Sequence, residues 1–278
     1  MRRYVYRSQV AALGEEPPFT LESALNYRRI DQVFTSGNLP EVDYGVQYPE
    51  GIVVREVDTV GAEFGYAFLA RLFPKSVPFQ ERVRWIEAAW FSVSIPLMAL
   101  WLFWWLGSRW AGVVAGSFYA ASLSSVTRST GQEVSHENAA IPLLAAHLAL
   151  DALADRFAGR RFLFCLAAAG SALALCLAVS LWDLMQYFIL LKLACEAVRN
   201  IRGRLFEHPG DRLKWGLCFG ALFVTGWLNP YLRAHAFPAS PAMLLGYGIL
   251  LHAGLKAWVR SDDRRPFLDT CTARVPFI

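Results

Sequence analysis

The chain has 278 residues, 55% of them hydrophobic and 14% aromatic, with ten tryptophans. It is too apolar and too aromatic for an ordinary soluble domain of this length. A net charge of only +4, with basic residues scattered through loops, argues against a nucleic-acid interface; five cysteines with no CxxC spacing argue against a zinc ribbon or disulfide framework.

Residues 1–84 are mixed in polarity and punctuated by turn residues at Ser36-Gly37-Asn38 and Tyr48-Pro49-Glu50-Gly51. From Glu22 to about Phe34 the apolar positions Leu21, Leu25, Ile30, Val33 and Phe34 have helical spacing, with Thr20 as a fitting N-cap. Gly61–Phe73 is amphipathic and rich in aromatics. It reads as a helix lying in a membrane interface, or else as one packed inside a small domain.

From Trp85 onward the chain carries about seven apolar segments near the length that spans a bilayer. They are Trp85–Leu106, Trp110–Val126, Ala139–Leu153, Phe162–Trp182, Leu184–Val198, Trp215–Asn229 and Pro241–Trp258. The expected fold is all-α: a polytopic transmembrane bundle over 85–260, an external region with short interfacial helices over 1–84, and a polar tail over 261–278. Alternate loops hold Arg109; Arg156, Arg160 and Arg161; Arg199, Arg202, Arg204, Arg212 and Lys214; then Arg260, Arg264 and Arg265. The positive-inside rule makes that set cytoplasmic. The stretch 128–138, the Trp182-Asp183 turn, the Asn229–Pro238 loop and residues 1–84 are then expected on the outer face.

The run Arg128-Ser129-Thr130-Gly131-Gln132-Glu133-Val134-Ser135-His136-Glu137-Asn138 is a polar island between two apolar segments. Ionisable groups at a membrane edge are costly to desolvate, so the island is a candidate half of an active site. The chain has no P-loop and no strand-linked GxGxxG. A reaction outside the cytoplasm would therefore need a donor that carries its own leaving group, such as a lipid-linked diphosphate or a lipid phosphate sugar. A divalent cation held by carboxylates from separate loops would neutralise the departing phosphate.

The run RSTGQEVSHENAAIPLL at 128–144 resembles the second acidic motif of the oligosaccharyltransferase catalytic subunit family, whose members have the GT-C fold. FTLESALNYRR at 19–29 resembles that family's first acidic motif, and Tyr48-Pro49-Glu50-Gly51 its Tyr-Pro-x-Gly turn. Ser180-Leu181-Trp182, followed by Tyr187, resembles its Trp-containing turn. The resemblance covers about residues 15–250. It implies transfer of a glycan from a polyprenyl diphosphate carrier to an acceptor polypeptide, at a protein Asn, with Mg²⁺ or Mn²⁺ as cofactor. It puts Glu22 and Glu137 in catalytic positions. It makes Glu22, Ser135, His136 and Glu137 the metal set, and Arg128, Glu133, Trp182 and Arg233 contacts to substrate. Glu at 22 and Ser at 135 stand where the family has Asp. Counterparts of the family's first membrane helix and of its C-terminal domain are absent, so the chain reads as a fragment or a reduced relative.

Simpler readings stand beside these. Glu22 fits as the first-turn acid of a helix, and Glu137 as another following a Ser135 cap. His136 fits as an interfacial side chain, His147 as a core histidine and Asp183 as a turn residue or a further site acid. Arg128 and Arg233 fit as side chains snorkelling at helix ends. Two other functions remain open: a GT-C enzyme using a lipid monophosphate sugar, and a non-catalytic membrane subunit that binds a glycan lipid or other membrane subunits.

Overall fold

A computed structural model describes residues 2–14, 18–19, 21–122, 125–126, 129–130, 133–203, 205–206 and 209–261. Thr20, Arg128, Arg204 and the tail beyond Ser261 lie outside the described residues. The described chain is all-helical apart from a short antiparallel ribbon, β1 (Val42–Asp43) with β2 (Ile52–Val53), which pairs Val42 with Val53. Helices α1 (Arg2–Leu13), α2 (Leu21–Ser36), α3 (Val54–Val57) and α4 (Gly61–Ala70) come first. The longer helices follow: α5 (Phe79–Leu106), α6 (Arg109–Ala121), α7 (His136–Arg156), α8 (Arg161–Leu181), α9 (Met185–Ile201) and α10 (Pro209–Leu228). A short α11 (Pro230–Ala234) and a 3₁₀ turn at Phe237–Ala239 lead into α12 (Pro241–Ser261).

Each of the seven apolar segments forms a helix, because apolar residues recur without interruption by turn residues. α5 starts at Phe79, ahead of Trp85, because its first turns are buried: Val83, Ile86 and Glu87 pack with α2 and α4. Among the described residues two helices are long and apolar enough to cross a membrane. They are Phe79–Leu106, with mean hydropathy 1.6, and Arg161–Leu181, with 2.4. The other segments are shorter or carry ionisable groups, such as Asp151 on α7 and Lys192 and Glu196 on α9.

Short connections make successive helices antiparallel. α5 turns into α6 through Gly107, whose φ of 67° suits a residue without Cβ. The packed pairs are α5 with α6 and α7, α7 with α8, α8 with α10, and α9 with α12. At one end of the bundle Thr59 Oγ donates to the Leu181 carbonyl at 3.0 Å, and Tyr231 OH reaches Asp183 at 3.5 Å. At the other end Arg156 donates to the Trp104 carbonyl through Nε at 3.1 Å and Nη2 at 2.9 Å. There too Lys214 Nζ meets Asp155 at 2.7 Å.

The seam between α7 and α8 buries mainly small residues, while several large apolar side chains face outward. On α8 the buried face is Phe164, Ala167, Ala168, Ser171, Ala172, Ala174, Leu175, Ala178 and Val179. Phe162, Leu166 and Leu173 stand exposed on the same helix. α7 meets this face with Ala140, Ala145, Ala149 and Ala154, all nearly inaccessible. A core formed in water would bury the larger side chains; small residues at the seam let helices approach closely when the surroundings are themselves apolar.

Gly246 on α12 shows how tight one such contact is, since a Cβ there would overlap the Phe219 ring on α10. Gly248, two positions on, has nothing within 4 Å of a built Cβ. Gly246→Ala is expected to destabilise the chain by about 1–3 kcal/mol through overpacking. Gly248→Ala should be neutral or stabilising by up to about 1 kcal/mol from helix propensity. Thermal unfolding of the purified variants measures both.

Candidate functional site

The site begins with the buried face of α2. Ser23, Asn26, Arg29, Ile30 and Val33 recur at helical spacing and are all buried, so one stripe is polar in its first half and apolar in its second. The polar half grips the segment just before α7. Val134 N–H donates to Ser23 Oγ at 3.1 Å, Ser23 Oγ–H donates to Glu133 Oε2 at 3.3 Å, and Asn26 Nδ2 donates to the Val134 carbonyl at 3.1 Å. Both backbone polar groups of Val134 are thereby satisfied by side chains more than a hundred positions away, and an extended segment can lie buried. This clamp holds α2 against residues 133–134, and the charge of Glu22, in the first turn of α2, reaches His136.

The centre of the site is a buried group of four ionisable side chains. His136 Nε2 lies 3.0 Å from Glu63 Oε1, and its Nδ1 lies 3.4 Å from Asp58 Oδ1. Arg29 Nη1 lies 2.7 Å from Asp58 Oδ2 and 3.9 Å from Glu63 Oε1. Arg29 and Glu63 are each 1% exposed. Two cations and two anions alternate, which makes burial tolerable; removal of one partner leaves an uncompensated charge costing on the order of 3–5 kcal/mol. Burial opposes the charged form of His136, but its bond to Glu63 and the charges of Glu63, Asp58 and Glu22 prevail and hold its pKa at about 9. Arg29 Nε, Glu63 Oε2 and Asn26 Oδ1 are buried polar atoms without a partner in the protein, so the group keeps hydrogen-bonding capacity to spare. Behind it, Tyr66 OH and Asn138 Nδ2 both donate to the buried carboxylate of Glu87.

The expected metal set takes a different form. Ser135 is the N-cap of α7, its hydroxyl accepting the Asn138 N–H at 3.4 Å. His136 has both ring nitrogens against carboxylates and serves as a fixed cation; a protonated imidazole has no lone pair to ligate a metal. The Ser135 hydroxyl keeps a second lone pair beside the cap. Glu22 is exposed and Glu137 half-buried, each in the first turn of its helix. Among the described residues no group of three or more His, Cys, Asp and Glu is arranged to hold an ion. Mg²⁺ does not need such a cage: it is usually held by one or two carboxylates, substrate phosphates and water. Glu22 and Glu137 are the carboxylates of the expected set that such a mode would use.

Trp182 and Arg233 lie at the same end of the bundle. Trp182 caps the C-terminus of α8, and Arg233 is exposed on α11, which packs on α3. Tyr231, also on α11, is in electrostatic reach of both Asp183 and Asp58 and so links this side to the buried group. Arg128 lies outside the described residues. The residues that sequence reasoning passed over are Arg29, Asp58 and Glu63. Glu63 did leave a signal: a lone acid inside the apolar run Gly61–Phe73, on the face that also buries Ala62, Tyr66 and Ala67.

A prediction follows from His136. Its folded pKa is above the ordinary 6.5, so its contribution to stability is complete below about pH 6.5 and is lost as pH rises through about 9. The loss is on the order of 3 kcal/mol. Wild-type protein should therefore fall in melting temperature from pH 6.5 to 9, while His136→Gln should start lower and fall less; parallel profiles would show that the imidazolium is not paired.

No protein-family model matches the chain, and no curated protein matches it.

Proposed function

We propose that the chain is a multi-pass membrane glycosyltransferase of GT-C type. It would transfer a glycan from a polyprenyl diphosphate carrier to an acceptor polypeptide on the extracytoplasmic face. The single observation that carries the reading is the convergence of α2 and residues 133–137, the two segments that resemble the family's acidic motifs, at one end of a helix bundle. Two further facts support the membrane part. Large apolar side chains face outward from the helices. Helix direction also puts the loops with Arg156, Arg160, Arg161, Arg199, Arg202 and Arg212 at the end opposite the site, as the positive-inside rule requires.

In this reading the acceptor nitrogen bonds to the anomeric carbon as the bond from that carbon to the diphosphate oxygen breaks. Glu22, exposed at the start of α2, accepts a hydrogen bond from the acceptor amide and orients it. Arg233, exposed on α11, offsets the charge that grows on the leaving diphosphate. Mg²⁺ or Mn²⁺, when bound by Glu22 and Glu137, supplies further neutralisation of that charge.

One observation favours a second donor class. His136 and Arg29 are already paired with Asp58 and Glu63, so little positive charge is free, and a lipid monophosphate sugar, with less charge to neutralise, would suit the same site. Chelation separates the two: a diphosphate donor predicts loss of transfer in EDTA and recovery with Mg²⁺ or Mn²⁺, whereas a monophosphate donor predicts transfer that resists EDTA.

The reading as a whole is tested by glycan transfer in membranes containing the full chain and lipid-linked donors. Glu22→Ala and Glu137→Ala are each expected to lower transfer by about 10²-fold or more, the scale of losing a group that acts on the developing charge, with expression unchanged. Wild-type transfer in both variants would remove the glycosyltransferase reading.

A further inference from the structure

The end of the bundle opposite the site holds a cavity of about 380 Å³ where α9, α10 and α12 meet. Its lining includes Asn200, Arg212, Trp215, Gly216, Ala253 and Lys256. Arg212 is exposed and Lys256 half-buried, and neither forms an ion pair among the described residues. Trp215 is 7% exposed, and its indole N–H has no acceptor in the protein. An indole nitrogen can only donate, and a buried donor is ordinarily satisfied. The cavity thus gathers two cations suited to phosphate oxygens, and Trp215, which lines both this cavity and a neighbouring one, brings a spare donor.

Asn200 lines both this cavity and an apolar groove of about 600 Å³ between α9 and α12. Leu190, Ala197, Ile201, Leu244, Gly248 and Ile249 line it. From Asn200 to Leu190 on α9 it runs along about 15 Å of helix. Asn200 is held at the junction, with its Nδ2 3.0 Å from His252 Nδ1. A neighbouring cavity of about 240 Å³ has a different balance. There Lys214 is paired with Asp151 at 3.2 Å and Asp155 at 2.7 Å, and Lys192 with Glu196 at 2.9 Å, and the acids Asp151, Asp155, Glu196 and Asp211 outnumber the cations Lys192, Arg199 and Lys214 in its lining.

We infer that the Arg212–Trp215–Lys256 cavity and the α9/α12 groove together bind one phospholipid with a net negative headgroup, taken from the leaflet at the end away from the acidic site. The headgroup phosphate sits against Arg212, Lys256 and the Trp215 N–H, and one acyl chain lies along the groove. The charge balance selects this occupant. A zwitterionic headgroup would bring a second cation toward Arg212 and Lys256, whereas an anionic one does not. The inference rests on the membrane reading above but not on glycan transfer.

The test is native mass spectrometry of the full chain purified in mild detergent, titrated with phosphatidylglycerol or with phosphatidylcholine of the same acyl chains. Phosphatidylglycerol should be retained about tenfold more strongly, the ratio of a single strong charge-assisted contact. Arg212→Gln with Lys256→Gln should reduce retention to the phosphatidylcholine level, and Trp215→Phe should lower it by several-fold. Arg160→Gln with Arg161→Gln, which removes the same charge elsewhere at that end, should leave it unchanged. Equal retention of the two lipids, or an equal loss in the Arg160/Arg161 control, would overturn the site. Alkaline carbonate washing of membranes decides the reading beneath it. A chain released from the membrane overturns both, whereas one that stays but lacks lipid preference overturns the lipid site alone.

Discussion

The architecture turns on the backbone of one residue. Val134 lies in extended chain, buried, ahead of α7, where neither helix nor sheet can pair its N–H and C=O. Ser23 and Asn26, one helical turn apart on α2, supply both partners. An unpaired buried amide costs about as much as a lost hydrogen bond, so α2 and the 133–135 segment hold one another in place. The Ser135 cap then starts α7 at His136, and the imidazole enters the gap between Asp58 and Glu63. Arg29 completes the charge balance from the same face of α2. Order in the polar end of the molecule propagates from that clamp.

The rest of the bundle follows from a different rule. Alanines on α7 and α8 face each other while phenylalanine and leucine face out. Small residues at that seam let the two helices approach closely. The ionisable groups are paired or balanced: Arg29 with Asp58 at one end, Lys214 with Asp151 and Asp155 at the other, and Lys192 with Glu196 inside α9. The two ends differ in character. The acidic site is closed around its own cations, and the opposite end leaves Arg212 and Lys256 uncommitted beside an apolar groove.

The long helices were legible because uninterrupted apolar periodicity is a local signal. The start of α5 was less so, since burial of its first turns depends on α2 and α4, which no local pattern reports. The Ser135 cap was readable as one of two roles for that hydroxyl, and its bond to the Asn138 N–H shows which it plays here. The role of His136 was not readable. Its partners lie far upstream: Asp58 in what reads as a loop, and Glu63 in what reads as an interfacial helix. That helix, α4, does bury Tyr66 and Ala67 against its neighbours while leaving Phe68 exposed. Arg29 was quoted only as part of a helical motif, and its burial follows from packing. Ionisable residues in apolar runs are the trace that such sites leave in a sequence; their pairing is a tertiary fact.

The central claim is that the start of α2 and the segment before α7 are in contact in the folded protein. Disulfide trapping tests it most directly. In a variant with the five native cysteines replaced, Ser23→Cys and Glu133→Cys should cross-link within minutes of mild oxidation in native membranes, because the two native side chains meet at 3.3 Å. A control pairing Ser23→Cys with Arg233→Cys should not. Failure of the first pair to cross-link, with both thiols accessible to a small maleimide, would contradict the convergence and remove the structural basis of the site.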